Sequence, residues 1–205
     1  MKNILKCFVV VILGFYLTTA AISCQDKTEP VPEPEVFDNE MVIDGVIHNL
    51  AHGELLKLEE HSPGVYYAPI YIVTDDFQRT ESTISGVGHA MEITVVTNRL
   101  DYISPGAYTF KDDIYTSSVL VPNTFIAGVF MDWNLANFEV SGFYEEKSGS
   151  LTIDYQDGIY TIRIDLIADL YDIGHAGNPP SGEPVKKNVS IKLTFKGTLS
   201  QKYFG

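Results

Sequence analysis

Apolar and polar residues alternate strictly in three segments near the C-terminus. Leu151, Ile153 and Tyr155 share one face and Ser150, Thr152 and Asp154 the other. Tyr160, Ile162, Ile164, Leu166 and Ala168 then oppose Thr161, Arg163 and Asp165, with Ile159 and Ile167 interrupting the polar side. Last, Val189, Ile191, Leu193, Phe195 and Leu199 oppose Asn188, Ser190, Lys192, Thr194, Lys196 and Thr198. A period of two, carried by β-branched and aromatic residues, predicts half-buried antiparallel strands. Asp157-Gly158 predicts a tight hairpin between the first two, because Gly accepts positive φ. A slip of one residue turns every apolar side chain outward, so the register is firmly set.

Earlier segments carry the same signal with more noise. Strands are expected over Met41–Ile47, Glu54–Leu58, Val65–Thr74, Gly88–Thr97, Gly106–Phe110 and Thr124–Trp133. Val65–Val73 and Phe125–Met131 are apolar on both faces, as strands in the middle of a sheet are. Pro69 has no N–H and belongs at an edge or a bulge. Turn clusters such as Ser62-Pro63-Gly64, Ser104-Pro105-Gly106 and Val121-Pro122-Asn123 punctuate the chain. No segment past residue 24 keeps a helical period over three turns. The expected fold is all-β, a single antiparallel β-sandwich or flattened β-barrel of about nine to ten strands.

The N-terminus follows other rules. Lys2 and Lys6 precede an apolar run, Phe8 to Leu17, and then Thr18-Thr19-Ala20-Ala21-Ile22-Ser23-Cys24. Charge, apolar core and small residues in that order define a secretory signal. Even from Cys7 to Ile22 the run falls short of the about 20 residues of a membrane span. Thr19-Ala20-Ala21 also fits ordinary signal cleavage, but Cys7 leaves with the signal, so Cys24 would remain a lone exported thiol. Ala21-Ile22-Ser23-Cys24 resembles the lipobox of bacterial lipoproteins. That resemblance implies diacylglycerol on the Cys24 sulfur and cleavage just before it. Two or more acyl chains anchor stably where one does not. The expected organisation is therefore a lipoprotein signal peptide over 1–23, an acidic Pro-rich tether over 24–36 and an all-β domain over 37–205.

In the tether, Pro30, Pro32 and Pro34 alternate with Val31, Glu33 and Glu35. Such a stretch runs as extended polyproline II at about 3.1 Å per residue, either as a plain spacer or as a proline-rich recognition segment. The whole chain has a formal net charge of −13, and loss of the signal removes two lysines and no acid. Fields of that sign repel nucleic acid, which is excluded as a partner.

Three strand motifs carry a second resemblance. Asp44-Gly45-x-x-His48-x-Leu50-x-x-Gly53 resembles the opening hairpin of a family of small, uncharacterised β-sheet lipoproteins of Bacteroidota. Ser104-Pro105-Gly106-Ala107-Tyr108-Thr109-Phe110 resembles their middle strand. Ser148-Gly149-Ser150-Leu151-Thr152-Ile153, Tyr160-Thr161-Ile162 and Phe195-Lys196-Gly197-Thr198-Leu199 are similar to their closing meander. His48 and Phe195 stand where that family usually has Tyr. The resemblance implies an outer-membrane lipoprotein on the periplasmic or surface face, and it brings no catalytic residues.

Candidate chemistry is sparse. The chain has no nucleophile elbow, no zinc-protease motif, no P-loop and no EF-hand loop, and no cysteine after Cys24. No metal or cofactor is implied. His48 and His52 are expected to straddle a turn, with a shared metal as the alternative. His89 falls in the phase of Met91 and Ile93, as a hydrogen-bonded core histidine does; His61 and His175 are expected in loops. Asp75-Asp76 and Asp112-Asp113 fit turns, where Asp bonds nearby backbone N–H groups; calcium would need six to eight oxygens. The segment 172–188 is too long for an ordinary hairpin loop. It offers His175 and Asn178, with Tyr171 at its base, and its replacement by Asn-Gly is expected to leave the fold intact. Trp133, beside Asp132, either contacts a ligand or closes the core.

These features lead to a non-catalytic binding or structural module for an unknown ligand or envelope protein, anchored in the membrane through Cys24. The ligand contacts offered are Asp132, Trp133, Tyr171, His175 and Asn178. A calycin-like barrel carrying an apolar small molecule and a carboxylate-dependent hydrolase are the alternatives. The anchor has a direct test. Cys24→Ala should move the protein from the membrane fraction to the soluble fraction, and a variant that still sediments with the envelope would show that another anchor holds it.

Overall fold

The computed structural model describes residues 39–79 and 84–200, so the signal, Cys24 and the tether lie outside the described residues. The chain is all-β, with no helix among those residues. Its strands are β1 (Glu40–Ile43), β2 (Val46–Leu55), β3 (Glu59–Ser62), β4 (Val65–Thr74), β5 (Gln78–Arg79), β6 (Ile84–Ser85) and β7 (Val87–Thr97). They continue as β8 (Gly106–Phe110), β9 (Thr124–Asn134), β10 (Gly142–Gln156), β11 (Ile159–Tyr171), β12 (Lys186–Gly197) and β13 (Leu199–Ser200). β5 and β6 form a small separate ladder.

All the other strands belong to one sheet, and its hydrogen bonding closes on itself. Neighbours run β2–β1–β12–β11–β10–β9–β7–β4, and β4 pairs back to β2. Every pairing in that circuit is antiparallel. Closure removes the open edges along which sheets aggregate. Side chains of alternate residues fill the interior. Met41, Ile70, Ile72, Met91, Ile93, Phe125, Leu151, Ile153, Ile162 and Phe195 are all fully buried there. Each contributes about 1.5–3 kcal/mol by leaving water.

The three C-terminal strands sit in the predicted register, and the β10–β11 turn is Asp157 (φ 52°) and Gly158 (φ 84°). The N-terminal segment differs from expectation. Asp44 (φ 52°) and Gly45 (φ 84°) turn the chain, so the strand expected over Met41–Ile47 divides there. His48 and His52 do not straddle a turn: both lie in β2. Pairing steps from Leu50↔Thr74 to His52↔Val73, so a bulge at Ala51 reverses the side-chain phase. His48, opposite Met41, therefore faces the interior while His52 faces outward, and the two cannot share a metal. His61, expected in a loop, falls in short β3. Pro69 sits where β4 changes partner from β2 to β3, and its carbonyl accepts the Leu56 N–H at 2.9 Å. A missing donor costs nothing at that break.

The segment 172–185 is built into the fold. His175 bridges Glu139, Ala176 N–H donates to Phe138 O at 2.8 Å, and Ile173 and Ala176 pack against a second apolar cluster around Phe77, Phe130, Trp133 and Val140. Its packing predicts a stability cost for its removal, while the fold is still expected to survive the replacement. Replacing 172–185 by Asn-Gly should lower unfolding stability by about 2–3 kcal/mol, the loss of roughly one buried aliphatic side chain and its contacts. Urea denaturation reads this directly, and an unchanged midpoint would refute the packing role.

Candidate functional site

The outer face of β4, β7, β9 and β10 is covered at its two ends and open in the middle. At one end the segments 134–141 and 173–176 lie over Val73, Phe77, Ala90, Phe130 and Trp133. At the other end Ile114 and Leu120 pack on Val96, Tyr67 and Ile126. That second cover is pinned by Tyr67, whose hydroxyl donates to Ile114 O at 3.0 Å, and by Tyr115, whose hydroxyl hydrogen-bonds Thr94 Oγ1 at 2.7 Å. Between the covers lies a cleft of ≈ 780 Å³.

A cross-strand row runs from beside the cleft into its floor: Tyr71 opposes Glu92, Glu92 opposes Gly128, and Gly128 opposes Glu145. The Phe143 ring lies across Gly128, where a Cβ would meet it at 2.2 Å. Tyr71 hydrogen-bonds Glu92. Burial pushes the Glu92 carboxyl above its ordinary range, and the Tyr71 hydrogen bond opposes that shift only in part. Phe110, Tyr115 and Phe143 line the cleft with Glu92, Asp112, Glu145, Glu146 and Lys147.

The deep end of the cleft enters a gap in the sheet. β10 pairs with β9 only over Gly142–Glu145, and from Ser150 onward it pairs with β8. β8 also lies parallel to the start of β9, at Thr109↔Thr124 and Phe110↔Phe125. The strands thus part around residues 126–127 and 146–149, as β8 wedges in. Parting leaves the Ala127 N–H without a ladder acceptor, and a buried donor must find one. Glu146 supplies it: Oε2 accepts the Ala127 N–H at 2.7 Å.

Two local features let Glu146 reach that point. Lys147 is an extra residue against β11, since pairing steps from Glu146↔Ala168 to Ser148↔Ile167. Gly149 has no side chain, and a Cβ there would meet Glu146 Oε1 at 2.8 Å and Asp165 O at 2.7 Å. Glu146 is 6% exposed. Its Oε1 is buried without a hydrogen-bond partner. Burial raises its pKa to about 8, against the lowering effect of the Ala127 hydrogen bond. The group is therefore a neutral acid at pH 7, able to donate a hydrogen bond or a proton. Lys147 reaches out of the cleft instead, to Asp169 Oδ2 at 3.1 Å. Asp169 is held below the usual carboxylate range by the Asn188 N–H and then by Lys147.

The residues offered by the sequence lie elsewhere on the outer face. Trp133 is 5% exposed and packs against Phe130 at 5.1 Å, closing the second cluster. Asp132 (φ 48°) is exposed at a bulge; its N–H donates to His89 Nδ1 at 3.1 Å and its carboxylate accepts from Ser141 Oγ at 2.7 Å. Tyr171 ends β11 opposite Phe143, a neighbour of the cleft. His175 Nδ1 accepts the Gly177 N–H at 3.1 Å, and Asn178 Nδ2 donates to Ile173 O at 2.9 Å, so both order their own loop. Only Pro179 of that loop reaches the cleft. His89 faces inward as expected, edge-on to His48 at 4.4 Å, and burial holds its pKa down. Among the described residues no three His, Cys, Asp or Glu converge as a metal site would require.

Glu146 and Glu92 went unrecognised in the sequence. One signal was present for Glu146: it holds the inward phase of Tyr144, where a charged residue has no business unless something meets it. Glu92 carries no such mark, because it occupies an outward phase between Met91 and Ile93.

Fold and site together define an all-β protein with an acidic, aromatic-walled cleft on the outside of a closed sheet. The chain matches no protein-family profile, no curated protein and no solved structure.

The raised pKa fixes a pH dependence. The folded state holds a proton on Glu146 that the unfolded chain releases near pH 4.5, so this group's stabilisation is complete below about pH 4.5 and is lost as pH rises through about 8. Glu146→Gln keeps an acceptor for Ala127 and cannot ionise. Relative to the wild type it should gain on the order of a few kcal/mol between pH 5 and pH 9 in urea denaturation. Parallel stability curves for the two proteins would show that Glu146 titrates normally.

Proposed function

We propose that the protein is a lipid-anchored envelope or surface lipoprotein, of the small β-sheet kind found in Bacteroidota, that binds a ligand without catalysing a reaction. The signal and lipobox pattern of residues 1–24 supports the anchor. The observation that carries the binding role is the outer-face cleft. It has the size and mixed lining of small-molecule sites: apolar walls with a few convergent polar groups. Its walls come from two loop covers and its floor from rigid strands, an arrangement that pre-organises a site.

Two observations favour this reading over an interior carrier. Interior positions are occupied by fully buried Ile, Leu, Met and Phe side chains, and the cleft opens outside the sheet. A hydrolase would need Glu146 as acid and an ionised partner held across the scissile bond. Glu92, a half-buried carboxyl of the cleft, is also pushed towards its neutral form.

Thr116 is exposed on a cleft wall, so Thr116→Trp fills the cavity without entering the core. Native mass spectrometry of the full chain purified from a bacterial host should show a small molecule carried by the wild type and lost from Thr116→Trp. Equal occupancy in both proteins would place binding elsewhere.

A further inference from the structure

The reading of the cleft as a binding site leaves its ligand chemistry open, and the buried end narrows it. Glu146 Oε1 is a buried carboxyl oxygen without a partner, on a residue that lines the cleft. Leaving such a group unsatisfied costs about 1–3 kcal/mol, and a ligand that pairs with the carboxyl offsets that cost. We propose that the cleft receives an alkylammonium group carried on a small molecule, with the ammonium at the Glu146 carboxyl and the alkyl stem against Phe110, Tyr115 and Phe143.

Charge selects a cation over a neutral donor. The titratable groups that line the cleft with Glu146 are Glu92 from β7, Glu145 and Lys147 from β10, and Asp112 and Tyr115 from the loop after β8. Four carboxyls thus meet one cationic side chain, and that one is paired with Asp169 outside the cleft. A hydroxyl-rich neutral ligand gains little from ionised carboxylates as a field, whereas an ammonium gains at each carboxyl that is ionised. Aromatic faces suit the same ligand twice over. They bury its methylenes, and their ring quadrupoles attract its charge. Anions are repelled.

Proton linkage gives the proposal a signature of its own. An ammonium binds the ionised carboxyl and must displace the proton that Glu146 holds up to about pH 8. Affinity therefore rises with pH. A neutral ligand that accepts the Glu146 proton in a hydrogen bond shows the opposite slope.

The test is calorimetric titration of the full-length protein with hexylammonium chloride, hexan-1-ol and a methyl glucoside at pH 6 and pH 9. A primary alkylammonium stays protonated across that range, since its pKa is about 10.4. Hexylammonium should bind at least tenfold tighter at pH 9 than at pH 6, and at least tenfold tighter than hexan-1-ol at pH 9. Glu146→Gln should lose both advantages, and Thr116→Trp should lose binding. The wild-type slope needs no variant, so a poorly folded Glu146→Gln leaves the proposal open to refutation. Hexan-1-ol or the glucoside binding as tightly as hexylammonium, or hexylammonium affinity falling with pH, would overturn the ammonium while the cleft stands as a site. Hexylammonium binding unchanged by Thr116→Trp, or absent altogether, would also overturn it; the ligand carried by the purified protein separately decides whether the cleft binds anything.

Discussion

A single backbone N–H, that of Ala127, sets the character of this protein. Closing a sheet requires every strand to find neighbours on both sides, but β8 is inserted between β9 and β10 over only part of their length. Where the two strands part, the ladder lacks an acceptor. A side-chain carboxyl takes that role at 2.7 Å, and it can do so only in a nearly dry position. Dryness then suppresses ionisation, because the Ala127 hydrogen bond repays only part of the lost hydration.

The same parting makes the cleft. Had β9 and β10 stayed paired to their ends, the outer face would be a continuous surface beneath its two covers. Instead the floor drops into the gap, with Phe110 and Glu146 at the bottom and the Tyr71, Glu92, Gly128 and Glu145 row leading to it. The covers hold through ordinary interactions, Tyr67 and Tyr115 on one side and the 173–176 packing on the other. An acidic cleft thus follows from a fault in strand pairing.

This history explains what the amino-acid pattern discloses and what it conceals. β10, β11 and β12 over residues 150–168 and 188–197 are legible because each face keeps its phase for many residues. The phase fails at Ala51, at Asp132 and at Lys147, and each of these is an extra residue in a ladder. A bulge flips the side-chain direction, so alternation across it reads as noise, and β2 in particular disappears into a supposed turn between His48 and His52. The cleft is harder still to foresee. Its residues come from β7, β8, β9, β10, the segment after β8 and Pro179 of the segment before β12, and only closure brings them together. Trp133, the most conspicuous residue of the sequence, closes a cluster, while Glu146 hides in the charged run Glu145-Glu146-Lys147.

Site-resolved NMR of the Glu146 side-chain carboxyl carbon as a function of pH tests the central claim most directly. A titration midpoint near 8 would agree with a dry carboxyl plugging the β9–β10 gap. A midpoint in the ordinary glutamate range of about 4.3 would mean that water reaches the group, and neither the dry carboxyl nor the pH-dependent binding of a cation would survive that result.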